Sequence, residues 1–313
     1  MNNSIFQTES WAEFKLSTGY SDKYRLDDVL VLDKKLPLLR SMLYSPMVSA
    51  SQESRLLNQE FISSIRSLAT KTNAIFYRLE LGVPIDEIRD TRYEIRKLGF
   101  RKSFEEMQPE HTLVLDINNT EEDILAQMKP KGRYNIKIAS KNQIEIMVSD
   151  KPGQELDHFY ELYETMARRQ NISRRNKAYF EALLEIMSRL GYIRVYNAVA
   201  TVENKKHVLA AAIICFYGER ATYLFGGSSN EHRNLMAPYL LHWQIIKDAK
   251  QIGCSEYDLF GVAPNDDEKH PWAGVTRFKN QFGGKRVDLV GSWDLVFKPT
   301  EYEIFKFVEK IRR

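Results

Sequence analysis

The chain has 313 residues, with 45 lysines and arginines against 42 aspartates and glutamates, and a formal net charge of +3. Hydrophobic residues make up 43% of it and aromatic residues 12%, which supplies packed cores and excludes a mostly disordered protein. The nearly balanced charge excludes a histone-like nucleic-acid binder but permits a local basic surface, and the length favours two domains or one large one.

The first part of the chain predicts a hairpin, a helix and a strand, in that order. Two apolar runs, Val29–Leu32 and Ser41–Tyr44, flank the polar segment Lys34–Pro37 and are typical of paired strands. Apolar residues then recur every three or four positions from Leu57 to Leu68, which indicates a helix. The run Ala74–Leu79 is predicted to be the next strand.

The middle of the chain is predicted to be mainly helical. A helix over 86–98 and a strand over 112–116 lead into it, and its helices are expected over 121–128, 133–142, 154–171 and 178–190. Pro130 is expected to interrupt the first two of these. No sustained heptad pattern is present, so no coiled-coil arm is predicted.

The last part repeats the order of the first. Leu209–Phe216 and Thr222–Phe225 flank a turn at Gly218, a helix is predicted over 236–251, and Glu256–Phe260 is predicted to be a strand. Hairpin, helix and strand therefore occur twice, roughly 180 residues apart. We predict an α/β (α+β) fold built from a duplicated domain.

Several kinds of site lack sequence support. Cys215 and Cys254 are too few for a disulfide framework or a zinc site, and no histidine pair has a ligand spacing with a third ligand nearby, so no metal site is predicted. No nucleophile elbow or Walker loop is present, which favours chemistry by positioning and electrostatics. A chain without a signal peptide or an apolar window of ~18 residues is expected to be cytoplasmic, with no transmembrane segment.

Two segments have the composition of phosphate-binding surfaces. Met128–Lys137 places four cations, including Arg133, around Tyr134 at a predicted helix start, which fits either an anion site or a solvated helix end. Arg233–Tyr239 lies between a strand and a helix, where GNAT acetyltransferases hold a glycine-rich pyrophosphate loop. Met236 and Pro238 occupy its glycine places, so an acyl-CoA cradle is disfavoured, while a phosphate held by Arg233 stays open.

A third segment, Phe260–Gly284, begins at the carboxyl end of a predicted strand, where α/β sheets place ligands. Arg277 and Lys279 flank Phe278 there, so two cations and a stacking face lie together. This pattern fits a grip on a nucleotide end, or a packed surface loop.

With these segments the sequence resembles the Fem family of aminoacyltransferases, which build the side chains and cross-bridges of peptidoglycan precursors from aminoacyl-tRNA. The resemblance covers nearly the whole chain. Its matching motifs are, in order, Trp11–Phe14, Met128–Lys137, Tyr223–Tyr239, Tyr257–Pro264 and His270–Gly284.

The resemblance implies two GNAT-like domains around a cleft, each a mixed sheet with flanking helices. Domain 1 would comprise residues 1–148 and 291–313, and domain 2 residues 149–290, as in the smaller family members without a helical arm. Aminoacyl-tRNA would be the co-substrate, with no other cofactor. The acceptor would be a UDP-linked muramyl pentapeptide or its lipid-linked form, reached by a monomer in peripheral contact with the inner membrane face.

Residue roles follow from the family match. Lys279 would stabilise the oxyanion of the tetrahedral intermediate, Phe278 would pack against the terminal adenosine, and Arg277 would hold RNA phosphate. Lys35 matches a contact to the precursor's nucleotide-diphosphate end. Further residues are expected to help bind the substrates: Arg133, Tyr134, Arg169 and Arg233, with Tyr223, Tyr239 and Tyr257 lining the cleft. Asp116 or solvent would accept the proton.

Three departures from the family pattern bear on substrate choice. Gly132 replaces a threonine or serine, Arg168–Ile172 only partly follows an R-D-G-F pattern, and Phe225-Gly226-Gly227 replaces Y-G-A. Two other functions stay open. One is a GNAT-fold N-acyltransferase with another donor such as acyl-CoA, and the other is a non-catalytic RNA- or precursor-binding protein.

Overall fold

A computed structural model describes residues 4–52, 58–87, 91–151, 153–170 and 173–312. The chain forms two compact units, Met1–Glu110 with Asp288–Arg313, and His111–Val287. The division predicted from the sequence differs in two places: residues 288–290 belong to the first unit, and residues 111–148 belong to the second. Residues 111–148 do so because strands within them pair with strands of residues 193–261.

Helices and strands make up most of the described residues. Up to residue 110 they are α1 (Glu9–Ser17), β1 (Asp22–Leu26), β2 (Val29–Leu36), β3 (Arg40–Val48), α2 (Gln59–Thr72), β4 (Ala74–Pro84), α3 (Thr91–Lys97) and β5 (Phe100–Lys102). Up to residue 261 they are β6 (His111–Asp116), α4 (Glu121–Gln127), α5 (Pro130–Lys141), β7 (Glu145–Ser149), α6 (Gln154–Gln170), α7 (Lys177–Met187), β8 (Ile193–Val202), β9 (Lys205–Tyr217), β10 (Arg220–Ser228), α8 (Ala237–Ile252) and β11 (Glu256–Gly261). The last are α9 (Ala273–Lys279), β12 (Lys285–Val296) and α10 (Pro299–Arg312).

Each unit contains a mixed sheet. In the first unit the strand order is β1-β2-β3-β4-β12, with β5 also paired to β12, and in the second it is β6-β11-β10-β9-β8-β7. The parallel pairs β3/β4 and β10/β11 each follow an antiparallel hairpin and are connected through a helix, α2 or α8. The predicted duplication of hairpin, helix and strand is therefore confirmed.

The core of the first unit lies between its sheet and α2. Asn58 caps α2 by accepting a hydrogen bond from the Phe61 N–H at 2.7 Å, and the apolar face of the helix, including Phe61 and Ile65, is fully buried. Between β4 and β12 the buried Arg78 guanidinium pairs with Asp294 at 2.8 Å. Arg78 also pairs with Glu105 at 2.8 Å, so losing Arg78 would leave the buried Asp294 carboxylate without its cation, which is strongly destabilising.

The core of the second unit lies between α8 and its sheet. Small residues on β9, among them Ala210 and Ala212, let the buried face of α8, with Ile245 and Ile246, approach closely. Gly253, with φ of 97°, ends the helix in a left-handed conformation that glycine adopts without strain.

Several elements differ from the sequence-based prediction. Strand β1 is an edge strand whose charged residues leave little apolar pattern, β7 is a half-buried edge strand, and neither was predicted; β5 and β8 were also not predicted. Pro130 is the first residue of α5 and does not delay it to residue 133, because a helix tolerates proline in its first turn. Of the predicted helices, Leu57, residues 88–90 and Asn171 lie outside the described residues.

No coiled-coil arm is present in the described ranges, where the longest helix is α6 with 17 residues. None of the helices described is both long enough and apolar enough to cross a bilayer.

Candidate active site

Helix α9, which carries Phe278 and Lys279, is fixed to the end of β11. The Thr276 Oγ1 accepts a hydrogen bond from the backbone N–H of Ala263 at 2.8 Å. Because Thr276 lies three residues before Lys279, both side chains lie on the same face of the helix. The lysine therefore points to the strand end that Thr276 holds.

The Lys279 ammonium is buried against a backbone carbonyl. Its side chain is 6% exposed, and Nζ donates a hydrogen bond to the Gly261 carbonyl oxygen at 2.6 Å. The pairing of β11 with β6 is irregular between Asp258 and Gly261, and Phe260 has φ of 60°. Bulges of this kind turn a strand locally and re-aim its groups, so this one presents the Gly261 carbonyl to Lys279.

The electrostatics of Lys279 are dominated by burial. Burial lowers the pKa of its ammonium to about 7, and the charge of Asp258 opposes this in part. An ammonium has three N–H groups, and within the described ranges the Gly261 carbonyl is the acceptor that it has. The remaining N–H groups are available to a substrate oxygen.

Asp258 supplies a buried negative charge that acts on Lys279. Burial raises the pKa of its carboxyl group, and the charge of Arg220, whose Nη1 lies 3.7 Å from Oδ2, opposes the rise. Its Oδ1 accepts hydrogen bonds from the Phe260 N–H at 2.8 Å and from the Thr112 hydroxyl. Asp258 thus holds the bulge and balances Lys279 at the same time.

An aromatic wall surrounds the ammonium. The Tyr223 ring centre lies 5.5 Å from Nζ, within the range of a cation–π contact. Gly226 makes room for this ring, because a Cβ at residue 226 would overlap it. Gly226 is shared with the family's Y-G-A, whereas Gly227 replaces its alanine, and a Cβ at residue 227 would overlap the backbone of Leu162 in α6.

His242 belongs to the same wall and was not predicted as a site residue. Burial, and then the charge of Lys279, lower the pKa of His242 to about 3, so the imidazole is neutral. Its Nδ1 lies 2.7 Å from the Tyr257 hydroxyl, and burial raises the pKa of Tyr257 well above its usual value. Tyr257 therefore keeps its proton, and the tautomer of the neutral imidazole sets which of the two groups donates in this hydrogen bond. One available sequence signal is that His242 lies three residues after Tyr239, on the same face of α8.

Phe278 packs into this cluster from α9. Its ring centre lies 5.2 Å from that of Tyr239 and 5.5 Å from that of His242. The structure therefore brings together five of the residues singled out in the sequence: Tyr223, Tyr239, Tyr257, Phe278 and Lys279. Their roles toward RNA and precursor stay predictions.

Arg169 and Arg233 form a second group. Partial burial, and then the neighbouring Arg233 cation, lower the pKa of Arg169. The Arg169 Nη1 donates hydrogen bonds to Asn230 Oδ1 at 2.6 Å and to the Ser228 carbonyl at 3.3 Å. Both guanidinium groups are exposed, as an anion site requires. In the partial R-D-G-F match, Asn171 and Ile172 lie outside the described residues.

The remaining predicted residues lie at the surface or make contacts that also serve the fold of their own unit. The Arg133 guanidinium donates to the Met128 carbonyl at the end of α4. Tyr134 and Arg277 are exposed on α5 and α9. In the first unit, Lys35 on β2 pairs with Asp33 at 2.6 Å and is 57% exposed.

Asp116 does not lie beside Lys279, which removes it as a proton acceptor there. In the pairing of β11 with β6, Gly261 lies opposite Thr112, whereas Asp116 lies opposite Glu256. Four residues of strand separate Thr112 from Asp116, roughly 13 Å. Asp116 is exposed and accepts a hydrogen bond from the Asn118 N–H.

Two further places bear on cofactor predictions. His207, Glu231 and His232 have ligand atoms within 4.8 Å of one another, a grouping that their spacing along the chain did not predict. Glu231 is exposed, and exposed acidic groups are common without a metal ion.

The turn before α8 has Met236 at φ of 56° and Pro238 in the first helical turn. Pro238 lacks the N–H that a pyrophosphate would use, so this helix start fits acyl-CoA poorly.

The chain matches the FemAB family over residues 85–196 and 190–310. The lipid II:glycine glycyltransferase of Staphylococcus saprophyticus is 22% identical to it, over 97% of this chain and 91% of that protein. That of Staphylococcus aureus (strain USA300) is also 22% identical, over 98% of this chain and 91% of its own length.

The fold has solved counterparts. The crystal structure of FemX superimposes with a TM-score of 0.81 at 19% identity, covering 96% of this chain and 94% of FemX. A tandem GNAT protein from the clavulanic acid biosynthesis pathway gives a TM-score of 0.51 at 14% identity, covering 85% and 78%. These likenesses confirm the GNAT-like fold of the chain.

Proposed function

This chain belongs to the FemAB family, and on that basis we propose that it transfers an amino acid from aminoacyl-tRNA to an amine on the stem peptide of a peptidoglycan precursor. The relatives named lipid II:glycine glycyltransferase support the acceptor class. The observation that carries the proposal is the buried Lys279 ammonium, with N–H groups to offer, inside an aromatic wall.

The reaction requires stabilisation of one developing charge. The acceptor amine attacks the ester carbonyl that joins the amino acid to the terminal ribose, and the carbonyl π electrons move onto oxygen. A cation in a site of low dielectric stabilises that oxyanion more strongly than water does. Lys279 is the proposed cation, and its hydrogen bond to Gly261 holds it in place.

The remaining steps use no protein nucleophile. The tetrahedral intermediate collapses, the C–N amide bond remains, and the ribose oxygen leaves with the electron pair of the broken C–O bond. The amine loses a proton and the ribose oxygen gains one, directly or through water. Tyr223 and Phe278 would shape the wall against which the terminal adenosine and the aminoacyl group lie.

A different acyl donor is the second candidate. The GNAT-like fold alone admits acyl-CoA, but Met236 and Pro238 at the start of α8 disfavour its pyrophosphate. The buried Lys279, with N–H groups to offer, favours a catalytic site over a site for binding alone.

The test is a transfer assay with defined donors. The protein is incubated with a charged tRNA pool and either UDP-muramyl pentapeptide or lipid-linked precursor. The mass of the product is then measured by mass spectrometry. We expect a mass increase of one or more aminoacyl residues. Acylation from acyl-CoA in a parallel reaction, with none from charged tRNA, would replace the proposal with the second candidate.

A further inference from the structure

Helix α10 carries an apolar stripe that faces away from the core. Ile304, Phe307, Val308 and Ile311 are 59%, 65%, 40% and 68% exposed. Their spacing of three, four and seven residues puts them on one side of the helix. An exposed stripe of four large apolar residues is typical of an interaction surface.

The opposite side of α10 already satisfies the fold. Tyr302 is 1% exposed, and its ring centre lies 5.1 Å from that of Phe76 on β4. Phe305 packs on the same ring at 5.3 Å. The helix thus packs on the first unit through one face, and the outward stripe is not needed for that packing.

A second apolar feature lies at the tip of the β2–β3 hairpin. Leu38 and Leu39 are each 89% exposed, and both have positive φ, 59° and 54°. Two leucines held in this unfavourable conformation at a tip are presented to the surroundings. The segment from Lys34 to Arg40 also carries three cations and no carboxylate.

Direct contacts connect the tip to α10. Arg40 pairs with Glu301 in the first turn of the helix. Asn73 donates a hydrogen bond to the Leu39 carbonyl at 2.9 Å, and Lys298 in turn donates to the carbonyl of Asn73 at 3.4 Å. The exposed leucines and the stripe are therefore parts of one surface in the first unit, the apolar face.

We propose that the apolar face, Leu38, Leu39, Ile304, Phe307, Val308 and Ile311, docks on an anionic lipid bilayer. Apolar side chains enter the boundary between headgroups and acyl chains, and neighbouring cations bind the negative headgroups. The charges fit this partner, because Lys34 to Arg40 carries three cations and no carboxylate; Lys34 is exposed, while Lys35 and Arg40 also pair with Asp33 and Glu301. On α10, Glu301 and Glu303 are paired with Arg40 and Lys306.

Docking of this kind selects the lipid-linked precursor over the soluble one, an extension that rests on the proposed function. Lys35, the residue expected to contact the precursor's diphosphate, lies three residues before Leu38 along the chain. At ~3.3 Å per residue it stands at most about 10 Å from the leucines that enter the bilayer. A lipid-linked precursor carries its diphosphate at that headgroup level.

Vesicle flotation without any precursor tests the docking. The full chain is mixed with phosphatidylglycerol–phosphatidylethanolamine vesicles or with phosphatidylcholine vesicles. We expect flotation with the anionic vesicles, and a loss of affinity of about tenfold or more in the variant Leu38→Ser/Leu39→Ser/Phe307→Ser/Ile311→Ser. A matched control, Leu190→Ser/Ile252→Ser, removes two exposed apolar residues of the second unit, 54% and 44% exposed, and should float like the unaltered chain.

Transfer assays separate docking from the proposed function. The fourfold variant should keep the rate with UDP-muramyl pentapeptide, which also shows that it is folded, and lose about tenfold in kcat/KM with lipid-linked precursor in vesicles. Flotation without transfer to any precursor would uphold the docking and overturn the proposed function. Equal flotation of variant and unaltered chain would overturn the docking. So would a dimer in solution that the four substitutions dissociate while vesicle binding is absent.

Discussion

At the scale of single residues, the proposed chemistry depends on one cation kept where its charge is unfavourable. The Lys279 ammonium is buried among aromatic rings, a carbonyl and Asp258. Its lowered pKa reflects the free energy lost when the charged form is removed from water. Perturbed pKa values of this kind concentrate at functional sites because a reaction uses the charge that the fold tolerates poorly.

The pKa of Lys279 predicts a bend in the pH profile. An acceptor amine of the lysine type has a pKa of ~10.4, so below that pH its reactive, deprotonated fraction rises tenfold per pH unit. Above pH of about 7, the protonated fraction of Lys279 falls tenfold per pH unit, so the two effects on the rate cancel. We expect kcat/KM for aminoacyl-tRNA, at saturating acceptor, to rise up to pH of about 7 and then stay level.

A matched variant checks the cause of that bend. Arginine stays protonated throughout, so Lys279→Arg should be slower but should keep rising above neutral pH. A rise in the unaltered enzyme that continues past pH of about 7 without a bend would show that the proton of Lys279 is not needed.

Lys35 is predicted to act in binding alone. It is exposed on β2 beside Asp33, as a contact to a diphosphate would be. Lys35→Ala should raise KM for the precursor by about tenfold and leave kcat nearly unchanged, since it removes an interaction equal in ground and transition states. An unchanged KM with a collapsed kcat would move Lys35 from binding to catalysis.

At the scale of elements, the site depends on close approaches that only particular residues permit. The bulge in β11 turns the Gly261 carbonyl, and the turn after α9 lies against the start of α5. There the Lys129 N–H donates to the Gln281 carbonyl at 3.1 Å, and a Cβ on Gly132 would come within 3.0 Å of that carbonyl's carbon. This contact explains why Gly132 stands where the family has a larger residue.

Gly132→Ala is therefore expected to destabilise the protein. Overpacking against backbone costs about 1–3 kcal/mol in the free energy of unfolding. Gly274→Ala is the matched control, because Gly274 is also helical and a Cβ there meets nothing within 4 Å; it should be neutral or stabilise by roughly 0.5–1 kcal/mol. Urea unfolding of both variants gives the comparison, and equal midpoints would refute the close-packing argument.

The same elements show how far sequence reasoning reaches. The two hairpin–helix–strand repeats follow from apolar periodicity, since their strands and helices have buried faces. Strand β7 was not predicted because its residues are only half-buried. Strand β8 was not predicted either, although its sequence contains an apolar run typical of a buried strand. His242 and Asp258 could not be assigned to the site, because they meet Lys279 only through packing between elements distant in the sequence.

At the scale of the whole molecule, two similar units divide the work that the proposal assigns. The second unit holds Lys279 and its aromatic wall, and the first holds Lys35 and the apolar face. The net charge of +3 is small for a protein proposed to bind tRNA, so the binding must depend on local cations such as Arg277.

Affinity for aminoacyl-tRNA is accordingly expected to fall with salt. Each phosphate contact adds ~0.7–0.9 to the slope of log affinity against log salt concentration. Arg277→Ala should lower that slope by about 1, whereas Arg92→Ala, an exposed arginine of the first unit, should not. Titrations of labelled tRNA at several salt concentrations measure the slopes, and a salt-independent affinity would contradict the prediction.

The central claim is that the Lys279 ammonium stabilises the oxyanion, and single-turnover transfer with both substrates saturating tests it most directly. Lys250→Met, which removes a partly exposed ammonium from α8 of the same unit, is the matched control and should react at the rate of the unaltered enzyme. Lys279→Met should bind both substrates and react on the order of 10²–10³ times more slowly. A normal rate for Lys279→Met under these conditions would remove Lys279 from the chemistry and leave it as a residue of the fold or of RNA binding.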